Sequence, residues 1–446
     1  MARISLCLIA RNEERFLPGC LASVRGVVDE IVLVDTGSTD RTRELARAAG
    51  ATVLDRPWDD DFAAPRNLAA AHARGAWILQ LDADERLAQG GGRAVRRALA
   101  GARFDVGLVR CHNADAPEAP EREVLSGARR VGAPGLIPRL LRRTPDLRWE
   151  GCIHESVLEW AGRRGNRIVP VEVDLVHLGY CADVWSARDK RARNLALLHR
   201  RAAREPGNPV ALGYLAAELL SDGQVDEAAR VAEEGWAGVP REPAHRSIRR
   251  LAVVRGAAAV RRSRPAEALE SAALAEAREG PNPDLAFVRG CAHELLASAA
   301  AGPERAAALG EAERAYREAL PLLDRSGVEQ VMYASRAGAL LRLGAVVLAA
   351  GRPAEAQEAF LAARAAGADG RATLGVAEAL LALGRPGEAL REVEPILAQG
   401  PDGWALAARA AEALGAAADA RAFRAEAERR ARARNEKEAA PGGATS

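Results

Sequence analysis

Trp77-Ile78-Leu79-Gln80-Leu81-Asp82-Ala83-Asp84-Glu85 is the stretch that decides how the rest of the sequence reads. The short, mostly apolar run from Trp77 to Leu81 follows Arg74-Gly75 and predicts a strand buried on both faces. Three carboxylates follow at once. A strand that delivers acidic side chains past its C-terminal end puts them where open α/β sheets bind ligands. Two apart in extended chain, Asp82 and Asp84 would share a face and grip one hard cation with its phosphates. The competing reading is a solvated loop that caps a helix, since Asp-x-x-Glu sequences are common caps.

Working outward, the chain before this stretch alternates strand and helix. Ile4 to Ala10 predicts a strand that runs into Arg11-Asn12-Glu13-Glu14, and Glu14 to Val24 has helical spacing. Glu30 to Val34 predicts a second strand ending at Asp35, followed by the turn Thr36-Gly37-Ser38-Thr39-Asp40 and a helix over Arg41 to Ala49. Thr52-Val53-Leu54 predicts a third strand. The acidic loop Trp58-Asp59-Asp60-Asp61-Phe62 then leads into an Ala-rich helix around Pro65 to Arg74. Such alternation predicts a largely parallel, doubly wound sheet. Its strand ends carry Asn12 and Glu13, Asp35, and Asp82 with Asp84, which would converge on one crevice. Asp35 can accept hydrogen bonds from a base or ribose, or start an Asx-type bend. Arg66 can donate to a base carbonyl or phosphate, or be an ordinary surface helix residue. No G-x-G-x-x-G follows the first strand and no P-loop motif occurs, which argues against dinucleotide and P-loop binding.

These residues resemble the inverting family 2 glycosyltransferases of the GT-A fold. The likeness rests on Ser5 to Asn12, on Ile31 to Thr42 with its Gly-Ser-Thr-Asp-Arg-Thr, on Arg66-Asn67 and on Leu81 to Glu85. It is close over roughly the first 90 positions and thins beyond them. The resemblance implies an α/β GT-A (Rossmann-like) domain, a nucleotide-sugar donor, inversion, and a divalent metal, Mn²⁺ or Mg²⁺, at the Asp-x-Asp element. By position, Ala10, Asn12, Glu13, Asp35 and Arg66 match nucleoside-holding residues. Asp82 and Asp84 match the ribose and metal-diphosphate contacts. His177 would be a further metal ligand, or a His packed at a strand end. Trp149 to Val157 and Val173 to Tyr180 resemble a bacterial subgroup with helical repeats, which includes peptide S-glycosyltransferases. The usual Glu-Asp element that supplies the base is not obvious. Glu155 is the first candidate for the base and Asp174 the second, with His154 orienting Glu155 or the acceptor.

Strands are also predicted over Phe104 to Arg110 and Leu136 to Arg142, with a mobile loop from Ala114 to Arg122 between them. Beyond Asp183 the composition turns to Ala, Leu, Glu and Arg. Gly223-Gln224-Val225-Asp226-Glu227-Ala228, Arg264-Pro265-Ala266-Glu267-Ala268, Gly351-Arg352-Pro353-Ala354-Glu355-Ala356 and Gly384-Arg385-Pro386-Gly387-Glu388-Ala389 recur between Ala/Leu-rich helices. The last two start 33 positions apart, close to the period of about 34 for tetratricopeptide (TPR) repeats. The Gly would end one helix and the Pro open the next. This half resembles TPR repeats, which implies a surface for a peptide, protein or glycan acceptor or another partner; buttressing and homodimer formation are the alternatives. The expected domains are 1–182 (GT-A), 183–430 (TPR-like) and 431–446 (a disordered tail).

In 446 residues the charge is a near-neutral +2, with acids and bases interleaved, so a general nucleic-acid binder is not expected. Six scattered cysteines without a CxxC pair point away from structural zinc and toward a reducing compartment. The initial apolar run is too short for a signal peptide, so a cytoplasmic protein is expected. Two functions stay in view: a metal-dependent glycosyltransferase acting from a nucleotide sugar, for which UDP-sugars are the expected class, and a non-catalytic TPR scaffold with a vestigial nucleotide-binding domain.

Overall fold

The computed structural model describes residues 3–179, 187–239, 247–324 and 334–439. The expected boundary at 182/183 and residues 440–446 of the expected tail lie outside the described residues. The chain divides into two compact units, one running from the N-terminus to Ala258 and the other made mostly of residues from Ala259 onward.

The first unit is built on an eight-stranded sheet. Its strands are β1 (Ile4–Ala10), β2 (Glu30–Asp35), β3 (Thr52–Asp55), β4 (Trp77–Gln80), β5 (Glu85–Leu87), β6 (Val106–Asn113), β7 (Gly135–Arg142) and β8 (Ile168–His177). Their order is β3-β2-β1-β4-β7-β6-β8-β5. The first four are parallel, joined by helices α1 (Leu17–Ser23), α2 (Thr42–Ala48) and α3 (Ala63–His72). Period-two side chains explain why both faces are apolar. Leu6, Leu8 and Leu79 pack with Leu17 and Leu21 of α1 on one side, whereas Cys7, Val32 and Ile78 pack with Ala69 and Ala70 of α3 on the other.

Beyond β4 the sheet departs from the largely parallel expectation. β7 runs antiparallel to β4 and to β6, β8 is parallel to β6, and β5 is antiparallel to β8. β6 and β7 are consecutive strands linked without a full crossover helix, so antiparallel pairing is the direct solution. The expected mobile loop is partly ordered: Ala114 bridges Arg130, Ala119 is buried, and α5 (Glu121–Ser126) begins within it. α4 (Gly91–Leu99) and α6 (Leu158–Arg163) complete the helices around the sheet.

The same unit continues into α7 (Ala187–Arg204), α8 (Pro209–Ser221), α9 (Val225–Gly238) and most of α10 (Arg249–Arg261). The second unit contains α11 (Pro265–Glu279), α12 (Pro283–Ala299), α13 (Gly302–Leu323), α14 (Arg336–Ala349), α15 (Pro353–Ala365), α16 (Asp369–Ala382), α17 (Pro386–Val393), α18 (Pro401–Ala413) and α19 (Ala417–Ala439). The recurring motifs lie at the links between paired helices. Gly351 and Gly384 take left-handed φ values of 78° and 71°, and Pro353 and Pro386 open the following helices. Close approach comes from small residues. A Cβ on Gly344 or Gly375 would meet the Phe360 ring at 2.7 or 2.4 Å. α19 carries regular helix to Ala439, into the stretch where a tail was expected, as its Ala, Arg and Glu content favours. No described helix is long and apolar enough to cross a membrane.

Candidate active site

Past the C-terminal ends of β1, β2 and β4 lies a cavity of about 510 Å³. Ala10, Arg11 and Glu13 follow or end β1, Thr36 follows β2, and Asp82 and Asp84 follow β4. Trp58, Phe62 and Arg66 come from α3 and the loop before it, His177 from the end of β8, and Arg193 from α7. Sheet and helices thus bring together residues up to 184 positions apart in sequence, from Ile9 to Arg193.

Asp82 and Asp84 do not act as a pair on one face. The Glu85 amide donates to the Asp82 carbonyl (3.0 Å), which bends the chain at Ala83-Asp84 instead of extending it. The Asp82 carboxylate is claimed by two guanidiniums, accepting from Arg66 Nη2 (2.9 Å) on Oδ1 and from Arg139 Nη2 (2.8 Å) on Oδ2. Burial alone would raise its pKa. The charges of Arg66 and Arg139 outweigh that and hold the carboxyl well below the usual range. Arg139 of β7 also grips Glu85 through Nη2 (2.6 Å) and Nε (3.0 Å). Glu85 is 3% exposed, and burial raises its pKa even against the Arg139 charge.

Asp84 lies instead beside His177, with Oδ2 and Nε2 3.4 Å apart. His177 Nδ1 meets the amide oxygen of Asn113 at 2.8 Å. Because that oxygen only accepts, Nδ1 carries the proton and Nε2 faces Asp84. Burial would lower the His177 pKa, but Asp84, with Glu85 and Asp82 behind it, raises it on balance. Gly179 closes the corner: a Cβ there would meet Asp84 Oδ2 at 1.9 Å and His177 Nε2 at 3.1 Å. Among the described residues no three His, Cys, Asp or Glu side chains gather as a metal cluster. A carboxylate and an imidazole oriented from behind still fit a Mg²⁺- or Mn²⁺-type ion, which takes its other positions from phosphates and water.

Arg66 links this acidic corner to Glu155, donating from Nε to Oε1 (2.5 Å). Both side chains are about one-tenth exposed, and Arg66 Nη1 is buried with no hydrogen-bond partner among the described residues. Such an orphan donor beside a cavity is unusual and calls for an acceptor. Trp149 to Val157 forms no strand beyond a single bridge, Glu150 to Ser156. The segment is held by Arg201 of α7, which is 1% exposed and donates to the carbonyls of Ile153 (2.8 Å) and His154 (3.2 Å). The His154 ring stacks on Tyr214 of α8 (4.2 Å), which leaves its backbone, not its ring, as the link to Glu155.

The remaining residues fall outside this convergence or support it indirectly. Asp35 is 1% exposed and builds the Asx-type bend: Oδ1 accepts from Gly37 N (3.1 Å), Ser38 N (3.0 Å) and Arg43 Nε (3.0 Å). Its Oδ2 is buried without a hydrogen-bond partner among the described residues. Asn12, at φ 58°, pins the same turn: its side-chain Oδ1 accepts from Thr39 N (2.8 Å) and its backbone N–H donates to Ser38 Oγ (3.0 Å). The Glu13 amide donates to Thr42 Oγ1 (2.8 Å). Asp174 is bound by Arg110 (2.8 and 3.0 Å) and His112 (2.8 Å) of β6. Three positions before His177 on a strand, it points to the opposite sheet face and does not line the cavity. Sequence reasoning missed Arg139, Asn113 and Gly179. Only Arg139 gave a signal, as a lone charge inside Leu-Ile-Pro-Arg-Leu-Leu.

Residues 5–122 match glycosyl transferase family 2. A TPR repeat-containing protein of Synechococcus elongatus is 36% identical over 254 residues, covering 55% of this chain and 59% of that protein. An uncharacterized glycosyltransferase of Rickettsia typhi is 36% identical over 89 residues, 20% of this chain and 30% of its own. The prophage-derived glycosyltransferase SunS of Bacillus subtilis is 24% identical over 222 residues, 48% of this chain and 49% of its own. The chain therefore spans between three-tenths and three-fifths of the length of these relatives. Among solved structures, residues 1–349 of S. aureus TarS align at TM-score 0.36 and 15% identity, over 63% of this chain and 92% of that one. The TPR protein TTC0263 of Thermus thermophilus aligns at TM-score 0.35 and 22% identity, over 46% and 98%. Residues 5–122 are therefore similar to family 2 glycosyltransferases, and a run of paired helices follows them in the chain.

Proposed function

We propose that the protein transfers a sugar, with inversion, from a nucleotide-sugar donor of the UDP-sugar class to an acceptor. The observation that carries this reading is the cavity at the strand ends, where the orphaned Arg66 Nη1 and the Asp84–His177 corner are placed together. Ala10, Asn12, Glu13 and Asp35 shape the nucleoside end, either by lining the cavity or by fixing its turn. Asp82 anchors Arg66 and Arg139 instead of taking a metal itself. A divalent ion held by Asp84 and His177 would neutralise the departing diphosphate.

Glu155 is the proposed base. Arg66 engages Oε1, leaving Oε2 to take the acceptor proton from the side of the sugar opposite the diphosphate. Asp174 is a poor second, since two cationic or donor side chains occupy it on the other sheet face. The transferase domain is proposed to be 1–182 and the repeats 183–430, with the repeats presenting an acceptor peptide, protein or glycan. Calorimetric titration of a panel of nucleotide sugars with and without Mn²⁺ tests the reading. At least one donor should bind more tightly with Mn²⁺ and be slowly hydrolysed without acceptor. A chain that binds no donor under either condition is not a glycosyltransferase of this kind.

A further inference from the structure

The geometry points to α7, the first helix beyond the sheet, as a working part of the donor site: Arg193 lends the cavity a phosphate-binding guanidinium, while Arg200 and Arg204 hold the loop whose Trp58 and Phe62 wall that cavity. The inference rests on the donor reading above and adds residues that lie beyond the expected 182/183 boundary.

Charge accounting makes the first half of the case. A nucleoside diphosphate brings negative charge into a cavity already lined by Glu13, Asp82 and Asp84. Arg66 is committed to Asp82 and Glu155, and Arg139 to Asp82 and Glu85. Arg193, like Arg11, lines the cavity and is exposed, and among the described residues it donates only to Asn194 Oδ1 (3.1 Å). It can meet a phosphate without giving up a carboxylate, and Arg is suited to bidentate phosphate contacts.

Helix geometry makes the second half. Arg193, Arg200 and Arg204 are seven and four apart, so they share one stripe of α7. Arg200 Nη1 reaches the Asp59 carbonyl (3.2 Å) and Asp60 Oδ2 (3.5 Å), and Arg204 Nη1 lies 3.7 Å from Asp61 Oδ2. Asp61 Oδ1 in turn accepts from Ala64 N (3.0 Å) at the start of α3, the helix that carries Arg66. Trp58 and Phe62 flank this acidic triplet and meet edge-to-face at 4.6 Å. Trp58 is oriented by its Nε1, which donates to Asp60 Oδ1 (2.9 Å). An aromatic wall of this kind is suited to the π-face of a base.

The test uses the full chain, Mn²⁺, and whichever of UDP, GDP and ADP binds the wild type, each paired with its nucleoside. Arg193→Ala should weaken the diphosphate by roughly tenfold or more, the worth of a charged hydrogen bond, and leave the nucleoside unchanged. Arg193→Lys should recover part of the loss. Trp58→Ala should weaken both ligands. The double change Arg200→Ala with Arg204→Ala should weaken both as well, yet add little on top of Trp58→Ala, because it acts through the same loop. Wild-type affinity in Arg193→Ala and in the Arg200/Arg204 pair overturns the inference while leaving the donor reading intact. A wild type that binds none of the three diphosphates overturns the donor reading and this inference together.

Discussion

The sheet unit and the repeat unit use arginine in opposite ways. Around the cavity, Arg66, Arg139 and Arg201 are almost wholly buried, and each is shared between carboxylates or carbonyls distant in sequence. In the repeats, Arg314 and Arg385 lie on helix surfaces and pair with Glu311 and Glu388 three positions away. A buried guanidinium must keep all its partners, because losing one strands a charge in low dielectric. An exposed pair is screened by water and costs little to lose. The first arrangement therefore specifies one geometry for a site, while the second lets repeat surfaces drift.

The largest break in that comparison is expected at Glu155. Glu155→Gln keeps shape and a hydrogen bond to Arg66 but cannot take a proton. Transfer to a hydroxyl acceptor should fall by about two to four orders of magnitude with donor affinity retained. A wild-type rate would remove Glu155 from the chemistry.

Arg139→Met tests the buried network as structure. Glu85 would lose its cation while staying buried, so urea denaturation should show a loss of about 3–5 kcal/mol. A loss below 1 kcal/mol, the range of exposed pairs, would mean that Glu85 relaxes to water and the contrast fails. Asn113→Ala is a finer probe of the proposed metal corner. It removes the partner that fixes the His177 tautomer, and Mn²⁺-dependent donor binding should weaken by about 10–100-fold. Undiminished Mn²⁺ dependence would place the metal elsewhere.

Asp174 gives a smaller, pH-dependent effect. Hydrogen bonds from Arg110, above all, and from His112 outweigh burial and lower its folded pKa. Its contribution to stability should therefore be present above the ordinary Asp value of about 3.9 and fade as pH falls below it. Asp174→Asn should flatten that part of the acid-unfolding curve and leave donor binding alone. Weakened donor binding would bring Asp174 back into the site. The smallest effect is expected for Arg385→Ala, where melting temperature should not move measurably. A clear drop would show that repeat-surface pairs are coupled into a network.

Much of this was legible because it is local. A buried parallel strand declares itself by its apolar run, so β1, β2, β3 and β4 were predicted to within a residue or two. The glycine and proline punctuation of the repeats is equally short-range: a left-handed Gly351 and a helix-opening Pro353 need no distant partner. That Glu13, Asp82 and Asp84 line one cavity followed from strand ends meeting at one edge, whereas His177 was reached through the family resemblance. The antiparallel pairing of β7, and the short β5, were not legible: pairing direction leaves no mark in one strand's own run, and a three-residue strand has no periodicity and depends on β8 to exist.

What tertiary structure alone decided is which partner each charge takes. The sequence by itself determined a carboxylate-tipped strand, an α/β domain and a helical repeat behind it. Spacing put Asp82 and Asp84 on one face, but the turn after β4 separated them, giving Asp82 to Arg66 and Arg139 and Asp84 to His177. A side chain's neighbours within a turn or strand are set by backbone periods of 3.6 and 2.0 residues. Its ion pairs across 16, 57 or 93 positions are set by how sheet and helices pack, and no local period encodes that.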